Sequence, residues 1–164
     1  MSRRPTRDPV RVVFVCLGNI CRSPMAERVA RAWAERDGLD GVEFSSAGVS
    51  SEESGNPIDP RAVRVLEGSG YTHAGHAARQ VTRRLIADAD LVVGLEDTHV
   101  ARMRRLVPDY ADFVLLTDFD PDAEPGSGVP DPWYGTADGF AGTLAAIEAA
   151  MPGLLRRVRE LQSR

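Results

Sequence analysis

The chain has no lysine: all 20 of its basic residues are arginine. A Walker-type phosphate loop needs Gly-Lys-Ser/Thr, so the nucleotide-hydrolase reading that such a loop carries is excluded. Cysteine is nearly absent too. Cys16 and Cys21, five positions apart, are the only two, too few for a structural zinc site and a poor basis for a disulfide scaffold. No apolar run approaches the roughly 20 residues that span a bilayer, and the arginine-rich start lacks the apolar segment of a signal peptide. The expectation is a cytoplasmic protein with no membrane partner. Positive charge is not in excess, since 20 basic and 24 acidic residues give a net charge of -4; with only short arginine clusters, this argues against a nucleic-acid partner. Neither an internal repeat nor a low-complexity segment is present. What is there is 164 residues, 43% apolar, enough for one globular domain with a real core.

Residues 1–9 hold two prolines and no apolar periodicity, which predicts a loose N-terminal arm ahead of one domain over 10–164. A strand is predicted over Arg11 to Val15. A helix follows, capped by Ser23 with Pro24 at its first position, and Met25, Val29 and Trp33 form its inner stripe as far as Asp37-Gly38. A second strand is expected over Val42 to Ser46, a turn-rich loop over 49–58, and a helix capped by Asp59 with Pro60 at its start. A short helix near Thr82 to Ala87, a strand Leu91 to Gly94, a helix capped by Asp97 and stopped by Pro108, and a strand Phe113 to Leu116 complete the middle. Residues 117–139 read as one long polar loop of the kind that carries function. The last helix has the clearest periodicity, from Phe140 through Leu144, Ile147, Met151, Leu154 and Val158 to Leu161, and because the stripe keeps phase across Pro152 a kink is expected and not a break. Alternating strands and helices make this an α/β chain: a three-layer sandwich with a four-stranded parallel sheet flanked by helices, and ligands at the carboxyl ends of its strands.

At the first of those ends stands Cys16-Leu17-Gly18-Asn19-Ile20-Cys21-Arg22-Ser23-Pro24. A loop between a buried strand and a helix start turns its amides toward one point, and the helix dipole adds positive potential there. Gly18 lets the backbone close tightly and Asn19 tolerates a left-handed conformation. The Arg22 guanidinium is a fork suited to two phosphate oxygens, and Ser23 can give its hydroxyl to the Cys16 sulfur. Leu17, Gly18, Asn19, Ile20, Cys21, Arg22 and Ser23 are thus the candidate phosphate-binding residues, with Cys16 as nucleophile. Hydrolysis of a phosphate monoester also needs a carboxylic acid for the leaving group. The long loop offers Asp118, Asp120, Asp122, Asp131 and Asp138, which spacing alone does not rank.

Cys-x5-Arg-Ser is the phosphate loop of cysteine-dependent phosphatases, and Val15 to Pro24 closely resembles the signature of the low-molecular-weight protein tyrosine phosphatase family. Val129-Pro130-Asp131-Pro132-Trp133-Tyr134-Gly135 looks like the family's general-acid loop, which implies Asp131 as the acid and base. Ser45-Ser46-Ala47-Gly48, Asp59-Pro60-Arg61-Ala62 and His76-Ala77-Ala78-Arg79-Gln80 match further segments, so the resemblance covers about residues 11–162. It implies a phosphotyrosine-containing protein as substrate, a phosphocysteine intermediate, an oxyanion in the active site, and a monomer with no cofactor and no metal. It also implies that Asn19, Ser23, Ser46 and His76 hold the loop in shape; taken alone, His76 reads as a surface or core-edge histidine. His73 and His99 are read as surface residues. For Cys21 the resemblance implies redox protection of Cys16 by disulfide formation, whereas the residue alone reads equally well as a buried small hydrophobe.

Two departures stand out. The loop after Gly48 usually carries an aromatic wall residue in the family, and here it reads Val49-Ser50-Ser51-Glu52-Glu53. The acid loop has Trp133 where tyrosine is common. The substrate pocket is therefore expected from Leu17, Ile20, Glu52, Trp133 and Tyr134, with glutamates that repel acidic phosphopeptides. Three other functions compete: a protein-arginine phosphatase, disfavoured by apolar Ile20 where such enzymes carry threonine; an arsenate reductase, which needs more cysteines; and a non-catalytic phosphate-binding module.

Overall fold

The structure, a computed structural model, describes residues 8–132 and 137–164. Four strands, β1 (Val10–Cys16), β2 (Val42–Gly48), β3 (Leu91–Gly94) and β4 (Phe113–Leu115), form one sheet in the order β2-β1-β3-β4, every pairing parallel. Strand β1 is buried at every position except Arg11 because its alternate residues serve two cores. Val12, Phe14 and Cys16 face one side with Met25, Val29, Leu66 and Ile147, while Val13 and Val15 face the other with Ile86, Val100 and Met103. The first core lies under α1 (Arg22–Arg36), α2 (Pro60–Gly68) and α5 (Ala137–Gln162), and the second under α3 (Arg83–Ala87) and α4 (Asp97–Leu106). The result is the expected three-layer α/β sandwich.

Local chemistry explains the element ends. The Asp59 carboxylate accepts the Arg61 amide at 2.8 Å with Pro60 in the first turn of α2, as expected, and Thr82, placed inside the short helix by the sequence reading, instead caps it, its Oγ1 accepting the Leu85 amide at 3.1 Å ahead of α3. Two further caps differ. Helix α1 starts at Arg22 with Cys21 as its flanking residue, so Ser23 is a first-turn residue and its hydroxyl is spent on the loop. Helix α4 is flanked by Glu96, not Asp97, and the Glu96 amide donates to His99 Nδ1 at 3.2 Å. This turns His99 inward, so the residue read as exposed is only 4% accessible.

Strand β4 gives way at Leu116 to a 3-10 turn (Leu116–Phe119) that packs on α5. That contact accounts for Gly153: a side-chain carbon there would stand 2.5 Å from the Phe119 carbonyl oxygen, so only glycine admits the approach. Helix α5 runs through Pro152 without a break, and Phe140, Leu144, Ile147, Met151, Leu154 and Val158 are all buried along it. Each such side chain contributes about 1.5–3 kcal/mol by leaving water.

Because β1 lies between β2 and β3, the chain leaves β1 toward one side for β2 and crosses to the other for β3. The carboxyl ends of β1 and β3 therefore flank the crevice where such sheets bind ligands. Cys16 ends β1 at that crevice, and Glu96 follows β3 into it.

Candidate active site

The loop after Cys16 is held from outside by its carbonyls. Those of Cys16, Leu17, Ile20 and Cys21 accept the amides of Val49, Ser50, Asp59 and Met25 at 2.9–3.1 Å, and the Asn19 carbonyl accepts His76 Nε2 at 2.6 Å. With every one of those oxygens turned outward, the amides of Leu17 to Cys21 make no hydrogen bond to another described residue. A run of unpaired amides beside the first turn of a helix is an anion site.

Asn19 is the keystone of this arrangement. It is the one non-glycine with positive φ (61°) among the described residues, and its amide is fully used. Nδ2 donates to Ser23 Oγ and Ser46 Oγ, both at 2.9 Å, and Oδ1 accepts the Arg79 amide at 3.0 Å. Ser46 Oγ in turn donates to buried Glu27 at 2.9 Å, and Glu27 pairs with Arg31 at 3.0 Å. The loop rests on Gly48, where a side-chain carbon would lie 2.7 Å from the Leu17 carbonyl oxygen. Asn19, Ser23, Ser46 and His76, named from the sequence, are thus brought together; Gly48, Glu27 and the Arg79 amide were missed.

Cys16 Sγ lies 2.9 Å from Ser23 Oγ, and that hydroxyl also reaches the Ala47 carbonyl at 3.3 Å. The single hydroxyl proton has two positions. With a thiol at Cys16 it points to Ala47 while the sulfur donates; with a thiolate it swings to the sulfur.

Arg22 is 3% exposed and arrives from the first turn of α1. Its Nη1 donates to Glu96 Oε1 and to the Val129 carbonyl at 2.8 Å, and its Nη2 lies 3.5 Å from Asp131 Oδ2. The segment that carries Asp131 is pinned a second time two residues earlier, where Val129 N donates to the Leu95 carbonyl at 2.7 Å. The sequence had not singled out Glu96. The one signal available was its position, an acidic residue directly beyond a buried strand at the sheet's carboxyl edge.

Burial pushes the Cys21 thiol up to about 12, with the charges of Asp59, Cys16 and Asp131 adding to it, so Cys21 is a neutral thiol at ordinary pH. His76 is held below its usual value, chiefly by burial, against the pull of its bond to Asn19. Burial and then the charge of Arg22 take His99 down to about 4, leaving Nδ1 free to accept. Burial works against ionised Asp59, but the hydrogen bonds from Arg61 outweigh it and its carboxyl falls below the ordinary range.

Cys16, Leu17, Ile20, Arg22, Glu52, Glu53 and Asp131 open into one cleft of about 190 Å³. A larger groove, about 600 Å³, lies along β2 beside Arg11, Ser45 and Arg84, but it touches neither Cys16 nor Arg22 nor Asp131, so the chemistry picks the smaller one. Trp133 and Tyr134 lie outside the described residues. Among the described residues no group of three or more His, Cys, Asp and Glu is disposed to hold a metal ion.

Comparison with known proteins gives one answer. The family model "low molecular weight phosphotyrosine protein phosphatase" matches residues 11–164. The chain is 48% identical to a low molecular weight protein-tyrosine-phosphatase of Streptomyces coelicolor over 92% of its own length and 94% of the relative's. Its fold superposes on a protein tyrosine phosphatase from Entamoeba histolytica with a TM-score of 0.87 at 28% identity, covering 93% and 99% of the two chains. It also superposes on the YwlE arginine phosphatase of Bacillus subtilis with a TM-score of 0.81 at 29% identity, covering 92% and 96%. This chain belongs to the low molecular weight phosphotyrosine protein phosphatase family.

Proposed function

We propose that the chain hydrolyses phosphotyrosine and other aryl phosphate monoesters through a phosphocysteine intermediate. One observation carries the reading: a cysteine, a buried guanidinium and a carboxylate from three separate elements open into the same cleft. The Cys16 thiolate attacks phosphorus, the S–P bond forms and the P–O bond to the phenol breaks, while Asp131 as carboxylic acid protonates the leaving oxygen. Glu96 and Val129 engage Nη1 of Arg22, and Nη2 faces Asp131 at 3.5 Å; with Asp131 protonated as the acid, that ion pair is given up and the Nε–Nη2 edge of the fork takes two phosphoryl oxygens beside the amides of residues 17–23. Water then attacks phosphorus, Asp131 takes its proton, the P–S bond breaks, and Ser23 donates to the returning thiolate. The products are tyrosine and inorganic phosphate.

Ile20 favours a phenyl ring over a guanidinium, while Glu52 and Glu53 at the same cleft are what a guanidinium would meet; this keeps protein-arginine phosphatase as the second reading. Cys21 is assigned the trapping of an oxidised Cys16: the sulfenic acid and the Cys21 thiol condense to a disulfide and water. A reaction that needs Cys16 reduced fits the cytoplasm, and no helix among the described residues is long and apolar enough to cross a membrane. One copy supplies every site residue, which supports a monomer.

The test is a rate comparison on phosphotyrosine, phosphoserine and phosphoarginine under reducing conditions. Wild type is expected to turn over phosphotyrosine fastest, Cys16→Ser nothing, and Asp131→Asn about a hundredfold more slowly or worse in kcat. Faster phosphoarginine turnover selects the second reading, and failure on p-nitrophenyl phosphate leaves a non-catalytic phosphate-binding module.

A further inference from the structure

The cleft has a cationic floor and an acidic rim. Arg22, at the floor, is the only cation among the described residues that line it, and it is already paired with Glu96 and Asp131. The rim carries Glu52 and Glu53, and none of the other described residues that line the cleft there is basic. Glu52 is exposed, and Glu53 is half-buried. The Glu53 stem lies against the phosphate loop, its Cγ 3.2 Å from where a side-chain carbon on Gly18 would be, and its Oε2 accepts Asn56 Nδ2 at 2.6 Å. The turn that carries both is tied to the segment after His76 by Gly55 N to the Ala78 carbonyl and Ala78 N to the Asn56 carbonyl, each 2.8 Å. Next to them Leu17 is 45% accessible, the exposed large apolar side chain of the described residues. On the phosphotyrosine reading the phosphoryl group sits at the loop on the cleft floor, so the residues on either side of it in the substrate chain come to lie over this rim.

We propose that Glu52 and Glu53 make this enzyme select phosphotyrosine sites flanked by arginine or lysine and reject sites flanked by aspartate or glutamate. The inference rests on the phosphotyrosine reading above. Its physical content is electrostatic: a flanking cation meets two carboxylates beside a low-dielectric cleft, and a flanking anion meets the same two with opposite sign. Leu17 then takes the aliphatic stem of the flanking arginine or lysine. The glutamates stand outside the loop that holds phosphorus, so the preference acts on substrate capture and belongs in KM, leaving kcat set by the floor.

The experiment compares three phosphotyrosine peptides of one sequence, differing only in having arginine, alanine or glutamate on both sides of the phosphotyrosine. At low salt the wild type is expected to show a kcat/KM about tenfold higher for the arginine-flanked peptide than for the glutamate-flanked one. In Glu52→Gln,Glu53→Gln that ratio falls to about twofold or less, and in Glu52→Arg,Glu53→Arg it inverts. Salt near 1 M, where the Debye length is about 3 Å, levels the wild-type ratio in the same way. Each rate is normalised to the same variant's rate on the alanine-flanked peptide, so a general loss of activity does not mimic loss of preference. A wild-type ratio near one, or a ratio that survives in the glutamine variant, overturns the proposal while the phosphotyrosine reading stands. No turnover of the alanine-flanked peptide overturns both.

Discussion

The seat of the phosphate loop and the rim of the cleft are built from the same few polar residue types, yet they obey different rules. In the seat, Asn19, Ser23, Ser46 and Glu27 are all buried, and each of their side-chain polar atoms has a partner within about 3 Å. At the rim, Leu17 stands open to solvent, Glu52 is exposed, and among the described residues the glutamates bond within their own turn. In the interior a polar group without a partner costs about 1–3 kcal/mol, so the members of a buried network fix one another. At the surface water substitutes for any lost partner, and residues there are free to set substrate preference without disturbing the chemistry.

This contrast breaks most sharply at Gly48. Alanine there brings a carbon to 2.7 Å from the Leu17 carbonyl oxygen, and that atom is backbone, so the loop must move. Gly48→Ala is expected to lower kcat/KM for p-nitrophenyl phosphate by about a hundredfold, on the scale that a misplacement of roughly 1 Å costs, and steady-state kinetics check it. Next comes Asn19→Ala, which strips partners from Ser23, Ser46 and the Arg79 amide and puts alanine at a φ of 61°. Denaturant unfolding should register a loss of roughly 2–4 kcal/mol.

His99 gives a pH signature to the interior side of the comparison. An unfolded chain binds a proton at this histidine near pH 6.5, whereas the folded protein refuses it until about pH 4. The unfolded state therefore holds more protons across that window, and stability falls as pH drops from 6.5 to 4. The loss is on the order of 3 kcal/mol at the acid end, His76 adding to it with the same sign. His99→Gln, which keeps an acceptor for the Glu96 amide but does not titrate, should flatten this part of a stability–pH profile measured by thermal or urea unfolding. The smallest effect belongs to the rim: Glu52→Gln,Glu53→Gln should leave the unfolding free energy within about 0.5 kcal/mol of wild type. A larger loss would mean that the two regions are not separable.

Much of this was legible along the chain because it is local. A buried strand, a loop of small and left-handed-tolerant residues, and a helix start are read from neighbours in sequence, and the Asp59 cap depends on a residue two positions away. The long stripe of α5 showed through Pro152 because amphipathic spacing outlasts one missing amide. The misreadings share a cause. Ser23 has the composition of a cap but turns to Cys16 and Asn19, and His99 has the composition of a surface residue but is drawn in by the Glu96 amide.

The amino-acid order by itself determined where the cysteine and the guanidinium stand and the layer architecture, since each follows from spacing within one segment. Only the tertiary structure decided what surrounds them. Glu96 reaches Arg22 across 74 positions, Val129 across 107 and His76 reaches Asn19 across 57. Such contacts carry no periodicity or local signature, because the sheet brings separate strand ends to one edge and hydrogen bonding at that edge depends on distance in space, not distance along the chain.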